Sequence, residues 1–262
     1  MLPKTLQEGW RIQRQTIHAL VVRELITRYG RENIGFVWAI LEPMILTCGV
    51  MVIWTVMGGH NKDGVKAVEM VLTGYMPLTL WRHLTGPVVG MFRINAGLLY
   101  HRRISLLDLV ISKQLLEIIG TTTAFVVIYA MLLLMGLIDG VDRWDLLILG
   151  WLMMAWIGAA FGAILAAFTE RHEVAERFVM PFQYLNVPIS GAFYLTDWLP
   201  SWAQHLVSWH PLVHCYEVFR AGYFGPMIVT HYDLTYFTVW SVVLTFLGLR
   251  AIRRIRRHVR LN

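Results

Sequence analysis

Apolar residues along the chain gather into six long stretches separated by polar connectors. The first runs from Ile34 to Gly59 and is broken only by Glu42. The second runs from Val68 to Phe92 and contains Glu69, Arg82 and His83. Ile118–Ile138 and Leu146–Phe168 are free of Asp, Glu, Lys and Arg, while Phe178–Thr196 and Leu234–Leu249 are shorter. A helix needs ~20 apolar residues to cross the hydrocarbon core of a bilayer. The pattern therefore predicts an all-α integral membrane protein with six transmembrane helices.

Three connectors depart from a plain bundle. Residues 5–22 place Leu6, Trp10, Ile17, Leu20 and Val21 on one helical face and Arg11, Arg14 and His18 on the other. A basic amphipathic helix of this kind lies in a membrane interface or binds a soluble partner. The segment Asn95–Leu109, between spans two and three, is too polar for lipid. It is either a short cytoplasmic helix presenting Leu98, Leu99, His101, Arg102 and Arg103 to a partner, or a basic loop on anionic headgroups. Residues 197–226 are aromatic and interrupted by Pro200, Pro211 and Pro226. They read as short re-entrant or interfacial helices on the outer side, with Trp198 and Trp202 at headgroup level.

Composition agrees with the membrane reading. The chain is 56% hydrophobic and 15% charged, with a mean hydropathy of +0.54, whereas a soluble domain is ~25% charged. The net charge of +6 reflects where cations sit rather than a nucleic-acid surface. With the ends placed inside, the outer loops hold only Lys62, Lys66, Arg143 and Arg220 of the 23 Lys and Arg residues. That asymmetry predicts both termini in the cytoplasm. The expected organisation is an interfacial segment over 1–33, a membrane domain over 34–250 and a basic tail over 251–262. Residues 1–33 carry six basic residues without an apolar core segment, so no secretory signal is expected there.

Familiar chemistry is missing. None of Lys4, Lys62, Lys66 and Lys113 follows a glycine, so no Gly-Lys-Ser/Thr phosphate loop exists and any nucleotide would bind another chain. There is no HExxH or G-x-S-x-G run. His205, His210 and His214 are interrupted by Pro211, and Cys48 and Cys215 are far apart, so neither set predicts a metal site.

Three runs carry a family likeness. The first is Arg23-Glu24-Leu25, Arg28-Tyr29-Gly30 and Ile34-Gly35-Phe36-Val37-Trp38-Ala39-Ile40-Leu41-Glu42-Pro43. The second is Leu72-Thr73-Gly74-Tyr75-Met76-Pro77. The third is Trp198-Leu199-Pro200 followed by His210-Pro211-Leu212-Val213-His214, Glu217, Arg220 and Tyr223-Phe224-Gly225. Together they resemble the permease subunit of type-2 ABC exporters, most closely the capsular polysaccharide export permeases of Gram-negative bacteria. The resemblance implies a non-enzymatic transport subunit in the inner membrane that pairs with a second copy of itself. It implies two separate ATP-binding subunits, which would hold ATP and Mg, seated on a coupling helix within Asn95–Leu109. It also implies a lipid-linked acidic glycan as substrate, and a periplasmic adaptor or co-polymerase leading to an outer-membrane channel. The alternatives are another substrate of such exporters, such as O-antigen, teichoic acid, a lipid or a drug, and beyond these a passive channel or an intramembrane enzyme.

Within that frame, Arg82 is the sharpest candidate. A mid-span charge costs ~2.5–3.5 kcal/mol on insertion scales and must face protein or water. Arg82, with His83 and Tyr75, either lines the substrate path or forms a structural pair with Glu42 or Glu69. Glu42 beside Pro43 is expected to hold the interfacial helix by pairing with Arg28 or Arg31. Trp10, Tyr29 and Trp38 belong to the same junction. Glu217 and Arg220, three apart, are expected to pair on one helix face. Gly158-x-x-x-Gly162 with Ala155, Ala159, Ala163 and Ala166 predicts a close-packing face, serving either a second copy or a neighbouring helix of the same chain.

Overall fold

A computed structural model of the chain describes residues 6–29, 34–56, 64–99 and 104–255. Among the described residues the regular structure is helical. The order is α1 (Leu6–Tyr29), α2 (Ile34–Val56), α3 (Ala67–Thr85), α4 (Met91–Ile94), α5 (Ala96–Leu99), α6 (Leu106–Leu134), α7 (Trp144–Arg171), α8 (Glu176–Asn186), α9 (Ser201–Val207), α10 (Pro211–Phe224) and α11 (Leu234–Ile255). By length and composition α6, α7 and α11 are able to cross a membrane.

Helix α3 carries Glu69, Arg82 and His83 and is nonetheless the buried centre of the bundle. Leu72, Met76, Leu80 and Leu84 are fully enclosed there. α7 packs beside α3 through its small face. A Cβ on Gly158 would meet Leu84 Cδ1 at 2.9 Å, one on Gly162 would collide with the Leu84 carbonyl, and Gln114 Nε2 donates to the Ala159 carbonyl at 2.8 Å. The small-residue face therefore serves packing within the chain. A second apolar cluster gathers Leu20 of α1, Met91 and Phe92 of α4, Leu109 of α6, Ala166 and Ala167 of α7, and Ile252 and Ile255 of α11.

Several boundaries differ from expectation, each for a local reason. The second apolar stretch ends as a helix at Thr85: Gly86 keeps helical angles and its N–H still bonds to the Arg82 carbonyl, but Pro87 has no N–H to carry the ladder further. Gly90, at φ 64°, then turns the chain into α4. The third helix begins at Leu106 rather than at Ile118. Ser105 Oγ accepts from the Asp108 N–H at 3.1 Å and Asp108 Oδ2 accepts from the Ser105 N–H at 3.0 Å, a closed capping box. The last residues of the expected coupling segment, Leu106–Leu109, thus belong to α6. The fifth stretch is not one continuous helix to Thr196. α8 has 11 residues, ~16 Å at ~1.5 Å per residue, and stops before Val187-Pro188; turns follow to Leu195. The 24-residue α1 extends beyond the expected 5–22.

Candidate functional site

The turns after α8 pose a problem of backbone chemistry. Buried irregular backbone must find its hydrogen bonds within the protein. Arg220 and Glu217 of α10 provide them. The Arg220 guanidinium, 0% exposed, donates through Nη1 to the carbonyls of Gly191 at 2.7 Å and Tyr194 at 2.5 Å, and through Nη2 to that of Ala192 at 2.6 Å. Glu217 Oε1 accepts from the Thr196 N–H at 3.2 Å and its hydroxyl at 2.8 Å, while Oε2 accepts from the His231 N–H at 2.8 Å. The two side chains share a helix face as their spacing requires, but each bonds to loop backbone and not to the other. The clamp also reaches α3. A Cβ on Gly74 would collide with the Ala192 carbonyl and stand 3.2 Å from Arg220 Nη2, so only glycine lets α3 lie against this loop. Trp54 of α2 stacks on Phe193 at 5.8 Å from the other side.

Arg82 lies lower on α3 and is half-buried. Its guanidinium sits over the Tyr184 ring of α8, 5.2 Å from the centroid, a cation–π contact. Tyr75, on the same side of α3, is close enough to both Arg82 and Tyr184 to interact electrostatically. His83 points elsewhere: its Nδ1 is 3.2 Å from Glu117 Oε2 and 3.5 Å from Thr121 Oγ1 of α6. Glu69 lies at the other end of α3, where it accepts from the Asp139 N–H at 2.7 Å beside Lys66. Lys66 Nζ is 2.7 Å from Asp139 Oδ1, and that hydrogen bond raises its pKa. Glu69 is thus not a partner for Arg82.

Polar ties fasten α1 to the body. Lys113 Nζ donates to Glu24 Oε1 at 2.8 Å, Gln13 Nε2 to Asp108 Oδ1 at 3.2 Å, and Arg23 Nη1 to Asn95 Oδ1 at 3.1 Å. Leu20 is buried against the second apolar cluster, whereas Trp10 is 70% exposed and Ile12, Val22 and Ile26 are exposed as well. The expected apolar stripe is therefore split between protein and surroundings. In α2, buried Pro43 sits inside the helix; the Thr47 hydroxyl bonds to the Pro43 carbonyl at 2.7 Å and to Met76 Sδ at 3.2 Å, binding the proline turn to α3. Glu42 is half-buried and Trp38 exposed. The side chains of Arg28, Tyr29 and Leu99 lie outside the described residues, as do Arg31, His101, Arg102 and Arg103 entirely. Leu98 packs at the edge of the second cluster.

Around α9 and the start of α10, Trp198 packs against the main core while Trp202 and Trp209 are exposed. His214 and His210 lie together at the start of α10. His214 Nε2 is 2.9 Å from the Ser208 carbonyl, and its Nδ1 accepts from the Asp233 N–H at 3.0 Å. Burial, with His214 nearby, pushes the His210 pKa down to about 4.

Sequence reasoning overlooked two things. The roles of Gly74, Glu217 and Arg220 converge on one loop that hydropathy had assigned to a helix. By hydropathy the polar residues at the start of α6, namely Asp108, Lys113, Gln114 and Glu117, fall before the third span, although Ser105-x-x-Asp108 marks a helix start.

Long apolar helices around a protein-covered polar centre define a helical integral membrane protein. The chain belongs to the ABC-2 type transporter family, which it matches over residues 15–224. It is 36% identical over 252 residues to the capsule polysaccharide export inner-membrane protein CtrC of Neisseria meningitidis serogroup A, covering 96% of this chain and 95% of the relative. It is 33% identical over 255 residues to the capsule polysaccharide export inner-membrane protein BexB of Haemophilus influenzae, covering 97% and 96%. It is 27% identical over 267 residues to the polysialic acid transport protein KpsM of Escherichia coli, covering 98% and 99%.

Proposed function

We propose that this chain is the membrane-spanning subunit of an ATP-driven exporter that moves a capsular polysaccharide across the bacterial inner membrane. The observation that carries this reading is likeness along nearly the whole length to two capsule export inner-membrane proteins, at 36% and 33% identity. The chain holds no phosphate-binding loop, so ATP and Mg are held by a separate subunit, two copies of which serve a homodimer of this chain.

In this reading α2, α3, α6, α7, α8 and α11 make six crossings with both termini in the cytoplasm, as the distribution of cations favours. α8 completes its crossing with the turns that Arg220 clamps. Residues 1–33 form the interfacial segment, 34–250 the membrane domain and 251–262 a basic tail. The segment around α5, with His101, Arg102 and Arg103, seats the ATP-binding subunit. The substrate is a lipid-linked acidic glycan handed to a periplasmic adaptor and an outer-membrane channel.

A polyanion moves through a wet path only if its contacts are weak and repeated. Arg82 over Tyr184 with Tyr75 beside it offers that chemistry: a cation for acidic groups, softened by an aromatic face that also suits sugar rings. The described ion pairs do not include Arg82, which favours the path role over a structural pair. The test is ATP-dependent accumulation of lipid-linked acidic polysaccharide in inverted inner-membrane vesicles carrying this chain and its ATP-binding subunits. Accumulation that needs ATP and this chain supports the proposal; vesicles that accumulate glycan equally without the chain refute it.

A further inference from the structure

Where α3 gives way to α4, one cation is surrounded by acid. Arg93 Nη1 is 2.7 Å from Glu173 Oε1, Nη2 touches Glu176 Oε1, and Nε is 4.0 Å from Glu170 Oε2. The three carboxylates come from the end of α7, the connector after it, and the first residue of α8. Gly90 fits the same joint. Its N–H donates to Thr169 Oγ1 at 3.3 Å, and a Cβ there would stand 2.8 Å from Glu176 Oε1. On its other side the α4–α5 segment is held by Asn95, which accepts from Arg23 of α1 and donates through Nδ2 to the Met91 carbonyl at 2.9 Å.

Stability alone is a poor account of this arrangement. Glu173 is 77% exposed and Arg93 is one-third exposed, and solvated ion pairs contribute little. Three acids around one guanidinium also exceed what neutrality needs. What the surplus does provide is a choice of partners along a moving element. A planar fork with five donors stays engaged with at least one carboxylate as the α7–α8 connector shifts. The element it holds leads straight to the proposed path. Glu176 opens α8, and Tyr184, two turns further along, carries the ring beneath Arg82.

We infer that Arg93 is a positioning residue for transport, linking the segment that seats the ATP-binding subunit to the start of α8 and through it to the Arg82–Tyr184 contact. The inference rests on the proposed function. Motion of α5 on nucleotide binding passes through α4 and Arg93 into the α7–α8 connector, so loss of the link leaves hydrolysis running without productive transport.

The test uses the complex with its ATP-binding subunits in proteoliposomes, reading ATP hydrolysis and ATP-dependent glycan transport together. Arg93→Ala should keep hydrolysis within about twofold while transport falls by about tenfold, in the usual range of coupling between sites. Arg93→Lys, which keeps the charge without the fork, should fall between. Arg93→Glu combined with Glu176→Arg should recover transport relative to either single change. Should Arg93→Ala fail to assemble, the lysine and double variants read the same ratio. Transport per ATP unchanged in Arg93→Ala overturns the inference; so does a proportional fall of both activities that the double change does not rescue. A wild-type complex with no ATP-dependent transport refutes the proposed function instead, which separates the two failures.

Discussion

Arg220→Met tests whether the clamp on the turns after α8 is what lets this chain hold irregular backbone inside the bundle. The substitution keeps a long, flexible apolar side chain and removes three charge-assisted donors to the carbonyls of Gly191, Ala192 and Tyr194. Hydrogen bonds involving a charged group contribute ~1.5–3 kcal/mol each, so the gross loss is roughly 5–9 kcal/mol. Part of this is offset, because the variant no longer buries a guanidinium. Glu217, 2% exposed, loses the cation that lies beside it. Removing one member of a buried charge system costs ~3–5 kcal/mol, and we take that as the net figure. At ~2–4 °C per kcal/mol for a chain of this size, the melting temperature in detergent should fall by about 10 °C, read by size exclusion after stepwise heating. Arg220→Lys should lie between, since one ammonium lacks the fork that reaches three carbonyls at once. A melting temperature for Arg220→Met within about 2 °C of wild type would refute the reasoning.

Three further outcomes follow from named contacts. Gly74→Ala should destabilise by ~1–3 kcal/mol through overpacking against the Ala192 carbonyl, seen as a lower melting temperature, whereas Gly97→Ala, which meets nothing within 4 Å, should not. Arg82→Gln should reduce glycan export at normal protein level, and Arg82→Lys should retain more of it; full export in both variants removes Arg82 from the path. His210 binds its proton at about 4 against an ordinary value near ~6.5. The folded state therefore holds fewer protons than the unfolded chain between these values, and stability is complete above ~6.5 and lost as pH falls towards 4. Melting curves across that range should show the loss in wild type and a smaller one in His210→Gln.

How legible the molecule was depends on which physics wrote each part. α2, α7 and α11 followed from hydropathy because their outward faces are apolar, as with Ile45, Ile148 and Phe246. For α3, hydropathy marks the start but runs on to Phe92, past the helix end at Thr85; Arg82 and Glu69 are tolerated within it because other helices surround most of that helix. The boundaries of α6 and α8 went astray because hydropathy weighs side chains and ignores the backbone. Ser105 with Asp108 starts a helix whose first turns point polar groups at α1 and α3, and Pro188 ends one inside an apolar run. The Glu217–Arg220 spacing correctly put both residues on one face. It could not reveal that Arg220 serves main-chain carbonyls more than twenty residues upstream, or that Glu217 joins Thr196 to His231, because an unpaired carbonyl has no signature in sequence. Gly74 stood inside a recognisable run, yet its reason, contact with the Ala192 carbonyl, is purely tertiary.

The central claim is that this chain works as the membrane half of an ATP-driven exporter. Its most direct test is purification of the tagged chain from native membranes in mild detergent, with the eluate assayed for partner stoichiometry and ATP hydrolysis. The account predicts a stoichiometric subunit bearing a phosphate-binding loop, with hydrolysis in the eluate, and weaker retention of that subunit when Arg102 and Arg103 are both changed to Ala. An eluate in which this chain stands alone, without a nucleotide-binding partner or hydrolysis, would contradict it.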